Sequence, residues 1–263
     1  VDWRWRVSTN HNDRGDKLND RFRMRRQSQL RNGGSGDFQI DIESAGVNDQ
    51  LLRGNGLVKL PENISASWEY ERPREGNWAP EYGVELFSGG LAGNDRFGHA
   101  GWLGGTYFVS DAFRLNAEVI VIRRPDWLIW QGADRPDLIG TFDGRETRFN
   151  TGLDWTLDAR QELRVKLQAI GIGARATGAW RFDPAGHPIA VADGIDDFNV
   201  RNLGFQVRYR YELAPLSYLY VVYARGGYAR QPGSDGVDDA LYDSLSLRDD
   251  EQLAVKLSYR FTL

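Results

Sequence analysis

The stretch that decides the fold closes the chain: Leu253-Ala-Val-Lys-Leu-Ser-Tyr-Arg-Phe-Thr-Leu263. Its odd-numbered positions are all apolar or aromatic, whereas its even-numbered positions are small, polar or charged. Successive side chains of a β-strand point to opposite faces, so this pattern predicts a strand with one apolar and one polar face. The alternation is as long as a tilted strand needs to be to cross a bilayer, about 9–11 residues.

The same alternation recurs along the chain. Residues 203–213 place Leu203 and Phe205 on one face and Arg208 and Arg210 on the other. We predict twelve such strands, at residues 1–8, 19–30, 37–45, 57–72, 80–90, 98–110, 112–124, 145–158, 160–175, 198–213, 217–230 and 250–263.

The connections between these strands alternate in length. The short ones are Ser110-Asp111, Ala159 and Ala214-Pro215-Leu216, and the long polar ones are residues 125–144, 176–197 and 231–249. Bacterial outer-membrane barrels have short periplasmic turns and longer external loops. The sequence therefore predicts an all-β fold, an antiparallel transmembrane β-barrel of the bacterial outer membrane, with about twelve strands visible and room for more upstream.

The composition agrees with a barrel and excludes other classes. The chain has 263 residues, a net charge of −4 and a mean hydropathy of −0.54, so it lacks the basic character of a nucleic-acid-binding protein. It contains no apolar run of the roughly 18 residues that a membrane-spanning helix needs. Only alternate barrel residues face lipid, which keeps the average hydropathy modest. Aromatic residues make up 12%, as expected for interfacial girdles, and cysteine is absent.

The chain begins at Val1 directly in an alternating segment, without an initiator Met or a signal-peptide pattern. We expect residues 1–263 to form one outer-membrane β-barrel domain that is the C-terminal part of a longer protein. A barrel that closes on itself would pair segment 1–8 with segment 250–263, because lipid tolerates no open sheet edge.

The polar faces of the predicted strands carry charges of both signs. An Arg or Lys facing lipid at the bilayer midplane costs about 2–4 kcal/mol, so these residues are expected to face a wet lumen. Two interpretations remain open: a salt-bridge lattice that fixes the barrel shape, and an electrostatic lining that selects a solute. The predicted lumen-lining residues are Arg148, Asp154, Arg164, Lys166, Arg208, Arg210, Glu212, Lys256 and Arg260.

Aromatic side chains near the predicted strand ends are expected to anchor the barrel at the membrane interfaces. Stacking of sugars at the external mouth is the alternative for the tryptophans beside the long loops. The predicted interfacial residues are Trp127, Trp130, Trp155, Tyr218, Tyr220, Tyr259 and Phe261.

Three runs carry a family resemblance: Leu138-Ile-Gly-Thr-Phe-Asp-Gly144, Gln161-Glu-Leu-Arg-Val-Lys-Leu-Gln168 and Phe205-Gln-Val-Arg-Tyr-Arg-Tyr-Glu-Leu-Ala-Pro-Leu-Ser217. They resemble the C-terminal outer-membrane barrel of an uncharacterised bacterial envelope family. Its full-length members carry an N-terminal family-9-like carbohydrate-binding module, and some are labelled membrane-associated hydrolases. The resemblance implies an outer-membrane barrel. The module itself has no counterpart in this chain, so no sugar-binding residue is carried over.

Two acidic motifs lie in predicted external loops, Asp193-Gly-Ile-Asp-Asp197 and Asp235-Gly-Val-Asp-Asp239. Calcium takes six to eight oxygen ligands, so these loops are candidates for a bridging Ca²⁺. Solvated Asx turns are the alternative, because the spacing is not that of an EF-hand. No other cofactor is expected. The candidate ligands are Asp193, Asp196, Asp197, Asp235, Asp238 and Asp239.

Catalytic candidates are few. The three histidines, His11, His99 and His187, lie in or beside predicted loops, and His99 has Ser88 one hairpin arm away. A lipase-like site would need such a serine and histidine near one rim. Paired carboxylates for glycoside hydrolysis cannot be singled out from the many present.

We therefore predict a non-enzymatic role, as a pore or as the membrane anchor of an envelope complex, linked to glycan or peptide handling. An outer-membrane hydrolase, lipase-like or glycosidase-like, is the alternative. The expected partners are outer-membrane lipid, lipopolysaccharide and a periplasmic or surface protein, and not nucleic acid.

Overall fold

A computed structural model describes residues 1–91, 96–233 and 236–261. Within these residues the chain forms fifteen strands and one short helix. Leu263 of the stretch quoted above and the predicted calcium ligand Asp235 lie outside the described residues. The elements are β1 Asp2–His11, β2 Lys17–Gln29, β3 Ser35–Glu43, β4 Gly46–Asn48, β5 Val58–Leu60, β6 Asn63–Glu71, β7 Trp78–Ser88, β8 Phe97–Phe108, β9 Phe113–Trp130, β10 Ile139–Asp158, β11 Gln161–Phe182, β12 Pro188–Val191, β13 Phe198–Ala214, β14 Ser217–Pro232, α1 Val237–Ser244 and β15 Asp250–Ser258.

Twelve strands form one continuous antiparallel path, in the order β1-β2-β3-β6-β7-β8-β9-β10-β11-β13-β14-β15. Each of the twelve predicted segments contains one strand of this path, so the antiparallel architecture with about twelve strands is confirmed. The predicted strand 57–72 is wrong in its first part, which forms the separate short strand β5 before β6 begins at Asn63. The remaining strands are accessory: β12 pairs with β11, and β4 with β5 in a small separate hairpin.

The connections sort the molecule into two ends. The turn end holds the connections 30–34, 72–77, 109–112, 159–160 and 215–216. The loop end holds 12–16, 44–62, 131–138 and 183–197, together with the described parts of the connections from β7 to β8 and from β14 to β15. The predicted alternation of short and long connections is thus confirmed from β8 to β15, and the connection between β1 and β2 is the short exception at the loop end.

Three predicted loops are more ordered than expected. Strand β9 continues to Trp130 and β10 begins at Ile139, which fills most of the predicted loop 125–144 with strand. Strand β11 runs to Phe182, inside the predicted loop 176–197, and α1 lies inside the predicted loop 231–249. The strand register shifts on both sides of Phe142. Such bulges break period-2 alternation while the hairpin continues, and the sequence pattern therefore ends early.

One face of the sheet is a belt of exposed apolar side chains, here called the belt face. Register places its members opposite one another along the strand path, and their side chains are 43–69% exposed. Examples are Val84, Leu86, Leu103, Val119, Val121, Leu253, Val255 and Leu257. The opposite face, here called the charged face, carries most of the arginines and carboxylates of the strands. In a transmembrane barrel the two faces meet lipid and the lumen respectively.

Buried side chains concentrate at the loop end. One cluster joins Leu52 and Val58, from the connection 44–62, to Leu91 and Ile139. A second cluster holds Phe142, Ala174, Phe198 and Val200. The connection 44–62 therefore packs onto hairpins β9–β10 and β11–β12, far along the strand path. This packing gives the loop end a core of its own.

Helix α1 lies against β11 and β13 on the belt face. A Cβ atom added at Gly171 would lie 2.5 Å from the amide nitrogen of Leu241, so the glycine allows the helix backbone to approach the sheet. Arg201 of β13 forms an ion pair with Asp243 of the helix at 3.0 Å. No helix among the described residues is long and apolar enough to span a bilayer.

The two outermost strands have one neighbour each. In the described part of the chain, β1 pairs only with β2 and β15 only with β14. The predicted pairing of segment 1–8 with segment 250–263 is therefore not found among these residues.

Candidate functional site

The candidate site is the charged face, because it holds the polar chemistry of the strands. Near the turn end, Asp154 of β10 accepts a hydrogen bond from Arg114 of β9 at 3.0 Å and lies 3.4 Å from Arg164 of β11. Arg164 also pairs with Glu162, whose other oxygen is 3.1 Å from Arg210 of β13. Five predicted or register-matched side chains thus form one network across four strands.

A second ion-pair network lies nearer the loop end. Glu146 of β10 pairs with Arg148 on its own strand and with Arg124 of β9, at 2.7 Å for the latter. Its side chain is only 5% exposed, whereas the two guanidinium groups reach solvent. A buried carboxylate held by two cations fixes the spacing of β9 and β10 at this level.

A third network joins β2 and β3. Asp41 accepts hydrogen bonds from Arg21 at 2.7 Å and from Arg23 at 2.9 Å, and Asp37 pairs with Arg25 at 2.7 Å. These three networks favour the salt-bridge interpretation for the residues that they contain, among them Arg148, Asp154, Arg164 and Arg210.

The other predicted lumen-lining residues take no part in these ion-pair networks within the described part of the chain. Lys166 and Arg208 are exposed on the charged face, and no ion-pair partner is found for them among the described residues. Lys256 lies opposite Tyr220 on the same face. Glu212 contributes its backbone N–H to Arg160, and Arg260 follows the end of β15 and donates its backbone N–H to Ser217 Oγ at 3.0 Å.

A recess of about 610 Å³ lies on the charged face beside Lys166. Gly152, Gly204 and Gly226 leave its floor low, and Lys166 stands beside them. Four amide side chains also line it, Asn116, Asn150, Gln168 and Gln206, together with the polar or charged residues Thr151, Asp154, Arg225 and Asp250. The recess can therefore offer hydrogen-bond donors and acceptors to a neutral solute as well as one free ammonium group.

Carboxylates crowd another part of the charged face. Glu71 of β6 lies directly opposite Glu81 of β7, and Glu81 and Glu118 approach each other over Gly104 of β8. None of these three carboxylates has an ion-pair partner in the part of the chain that the structure describes. Like charges placed opposite each other destabilise a sheet unless water or counter-ions screen them. The alternation of residues in the sequence did not distinguish this patch of carboxylates from the basic groups. The patch requires contact with water.

The predicted interfacial aromatics occupy several environments. Trp155 is 41% exposed on the belt face, and its ring centroid lies 5.5 Å from that of Phe113 at the turn end. Tyr259 and Phe261 are exposed just after β15. Tyr218 and Tyr220 differ from the prediction: register places them on the charged face, opposite Glu212 and Arg210.

The two predicted external tryptophans pack inside the loop end. Trp127 lies against Phe198, with 6.1 Å between ring centroids, and Trp130 packs on the cluster around Ile139. The Trp130 indole N–H donates to the carbonyl of Pro136 at 3.0 Å. These contacts account for both rings without lipid or sugar.

The described side chains of the two acidic loop motifs have several different partners. Asp193 is bound by Arg181 at 2.9 Å, and Asp197 accepts the backbone N–H of Ala176 at 2.7 Å. Asp238 and Asp239 stand in the first turn of α1 instead of a loop. Within residues 1–91, 96–233 and 236–261, no three His, Cys, Asp or Glu side chains are arranged to hold a metal ion. Calcium binding through Asp196 or the others stays a prediction.

The serine–histidine pair does not form a catalytic arrangement in the structure. His99 lies opposite Leu86, and Ser88 lies opposite Phe97. The Ser88 hydroxyl oxygen accepts the backbone N–H of Ile64 at 2.9 Å. No hydrogen bond joins Ser88 to His99 among the described residues, so no observation favours the lipase-like alternative.

A contact that the sequence could not reveal ties two loops together. His187 lies between Asp183, at 3.0 Å from its Nδ1, and Lys59, at 2.9 Å from its Nε2. The backbone N–H of Lys59 also donates to the carbonyl of Gly186 at 2.7 Å. The Asp183 pKa is lowered, chiefly by the hydrogen bond from the backbone N–H of His187. Lys59 and His187 are 128 residues apart in sequence, which hides their proximity.

Comparison with known proteins supports the fold. No family model matches the sequence, and no curated protein matches it either. Among solved structures, the chain is similar to the copper transporter OprC, with a TM-score of 0.51 and 12% identity. That match covers 97% of this chain and 42% of the transporter chain. A second structure is the pyoverdine outer membrane receptor FpvA from Pseudomonas aeruginosa PAO1 bound to pyoverdine, with a TM-score of 0.49 and 11% identity over 89% of this chain and 42% of that chain.

The likeness to OprC shows a common fold and nothing finer. The chain has the fold of an antiparallel transmembrane β-barrel and spans about two fifths of the length of that transporter.

Proposed function

We propose that this chain forms part of the wall of a bacterial outer-membrane barrel that serves as a pore, with a role as membrane anchor of an envelope complex as the second possibility. The observation that carries the proposal is the division of side chains between the belt face and the charged face. Exposed residues such as Leu103, Val119 and Val255 on one face are stable in hydrocarbon and unfavourable in water. The arginines and carboxylates of the charged face are stable in water and unfavourable in hydrocarbon.

Strands β1 and β15 each have one edge that pairs with no described strand. These two edges determine how the barrel wall is completed. Lipid offers no hydrogen-bond partners, so both edges need neighbouring strands within the membrane. We propose that further strands, from the same polypeptide or from a partner, pair with these edges. The fold match covers only 42% of the OprC chain, which is consistent with a wall larger than these twelve strands.

A water-filled lumen is favoured over a dry, plugged one by the carboxylates of the charged face. Glu71 and Glu81 face each other without cationic partners among the described residues, and Glu118 lies close by. Burying these charges together under a plug would cost several kcal/mol for each unpaired charge. The exposed Lys166 and Arg208 add to the same argument.

The solute that we propose is a polar molecule such as a glycan or a short peptide. The recess around Gly204 offers four amide side chains, which can donate and accept hydrogen bonds. The resemblance to an envelope family with a carbohydrate-binding module favours a glycan. An outer-membrane hydrolase has no specific observation in its favour.

Reconstitution into planar lipid bilayers tests the pore. We expect discrete conductance steps and a measurable ion preference. Glu81→Gln removes a carboxylate from the acidic patch and should shift the reversal potential toward anion preference, whereas Lys166→Gln should shift it toward cation preference. Glu62→Gln, an exposed residue of the connection 44–62, removes the same charge away from the strands and serves as the control.

Insertion into the bilayer without conductance would reject the role as a pore and leave the role as a membrane anchor. Failure to insert at all, judged by flotation with lipid vesicles, would reject both roles.

A further inference from the structure

A group of arginines lies on the belt face where the apolar surface ends, toward the loop end. Arg123 of β9 lies directly opposite Arg145 of β10, and Arg145 lies opposite Gly173 of β11. Arg175 of β11 lies opposite Asp143 of β10 on the same face. Directly opposed like charges destabilise a sheet, so the pair Arg123–Arg145 needs an anion nearby.

The arginines continue the apolar belt without a gap. Two residues below Arg123 on the same face of β9 is Val121, followed by Val119, and these side chains are 50% and 43% exposed. On β10, the same face continues from Arg145 through Thr147 to Phe149. A side chain at this level lies where the acyl chains of a surrounding lipid would meet its headgroup.

The charge of the group is only partly neutralised within the protein. Asp143 pairs with Arg123 at 3.3 Å. Arg145 and Arg175 are both exposed, and neither has an ion-pair partner among the residues that the structure describes. Two guanidinium groups are therefore available at the upper edge of the belt.

The two free arginines line a small recess of about 120 Å³ together with Asp143, whose carboxylate is paired with Arg123. Gly173 leaves its floor without a side chain, and Gly236 and Val237, at the start of α1, form one wall. At about 30 Å³ per water molecule, the recess has the volume of roughly four waters, enough for the oxygens of a phosphate group. Asp238 and Asp239 stand in the first turn of α1 and are exposed, and Asp239 lies against Gly236.

We propose that Arg145 and Arg175 bind the phosphate group of an anionic lipid in the surrounding leaflet. The guanidinium fork matches phosphate oxygens in a bidentate manner, and basic pockets at the membrane surface are typical headgroup sites. The acyl chains of this lipid lie along Val119, Val121 and the neighbouring belt residues. This assignment rests on the proposed membrane location, because only there does the belt meet lipid.

Native mass spectrometry of the full chain, released from micelles of a neutral detergent, tests the proposal. The probes are a diphosphorylated lipid A, its dephosphorylated counterpart and inorganic phosphate. We expect the chain to retain the phosphorylated lipid, and the double variant Arg145→Gln/Arg175→Gln to bind it more than about tenfold more weakly, since hydrogen bonds to charged groups are strong. The double variant Arg31→Gln/Arg160→Gln removes two exposed cations at the turn end and should bind as the unchanged chain does.

The charge-conserving variant Arg145→Lys/Arg175→Lys is the control for misfolding of the glutamine variant. It should retain most of the affinity for the phosphorylated lipid. Equal binding of the phosphorylated and dephosphorylated lipids, or unaltered binding by the glutamine variant, would overturn the proposal. Binding of inorganic phosphate as tight as that of the lipid would overturn the lipid assignment. Vesicle flotation of the same proteins reports separately on membrane insertion, so a chain that inserts but shows no phosphate preference refutes this inference alone.

Discussion

Gly171 of β11 and Leu241 of α1 meet backbone to backbone, and a Cβ atom at position 171 would lie 2.5 Å from the Leu241 nitrogen and 2.7 Å from the carbonyl oxygen of Val237. The helix can rest on the sheet only because this position carries no side chain. The ion pair between Arg201 and Asp243 then holds the C-terminal end of the helix to the neighbouring strand.

Gly171→Ala is expected to displace α1 from the sheet. Overpacking of this kind costs about 1–3 kcal/mol. Hydrogen–deuterium exchange of residues 237–244 should become faster, while the strands keep their protection. Gly204→Ala adds the same methyl group where no atom lies within 4 Å, and should leave the helix protected. Equal exchange in the two variants would show that α1 is not held at Gly171.

Glu146→Gln should destabilise the barrel by about 1–3 kcal/mol, because it leaves Arg124 and Arg148 without a carboxylate at a site where the glutamate is 5% exposed. The partial exposure of both arginines keeps the loss below that of a fully buried pair. The measurement is the urea midpoint of unfolding in detergent micelles. Glu43→Gln breaks a more exposed contact, 3.4 Å from Arg21, and should change stability by less than about 1 kcal/mol. A larger loss for Glu43→Gln than for Glu146→Gln would contradict this ranking.

The turn 183–187 should loosen in acid. The backbone N–H of His187 lowers the pKa of Asp183 below its ordinary value, so the folded turn favours the carboxylate. A carboxyl group whose pKa is lower in the folded than in the unfolded state stabilises the turn at pH values above its unfolded-state pKa. This contribution is lost as the pH falls through the folded-state pKa. Proteolysis of the 183–187 segment should therefore stay slow at pH 5 and accelerate below about pH 4.

Asp183→Asn is the matched control for this prediction. Asparagine still offers an oxygen to the backbone N–H groups of Ala185 and His187, but it cannot titrate. Cleavage of the variant should lose its pH dependence over the same range, after correction for the activity of the protease. A variant that keeps the full dependence would assign the transition to another group.

Much of the fold could be predicted from the sequence because period-2 alternation survives wherever one face meets lipid and the other meets water. All twelve strands of the main path follow from it. The pattern failed at the loop end, where β9, β10 and β11 leave the apolar belt and gain apolar residues on both faces. Phe142 is buried there, in a bulged stretch, and no longer obeys the alternation.

The candidate site was predictable only in part. Parity assigned Asp154, Arg164 and Arg210 to the charged face, but register decides which of them pair, and the register depends on the turns and bulges of each hairpin. Register likewise places Tyr220 opposite Arg210 and Tyr218 opposite Glu212, which the alternation along β14 alone does not reveal. The contact of Lys59 with His187 and the packing of α1 on Gly171 join segments that are distant in sequence, and no local pattern reports them.

The central claim is that the belt face meets hydrocarbon and the charged face meets water. The chain has no cysteine, so single-cysteine variants can carry a nitroxide spin label cleanly. The measurement is electron paramagnetic resonance of labels at Val119 and Val255 on the belt face, and at Lys166 and Gln206 on the charged face, in lipid vesicles. We expect collision with oxygen, which dissolves in lipid, at the first two positions, and with a water-soluble nickel complex at the last two. Nickel access at Val119 and Val255 equal to that at Lys166 and Gln206 would contradict the central claim.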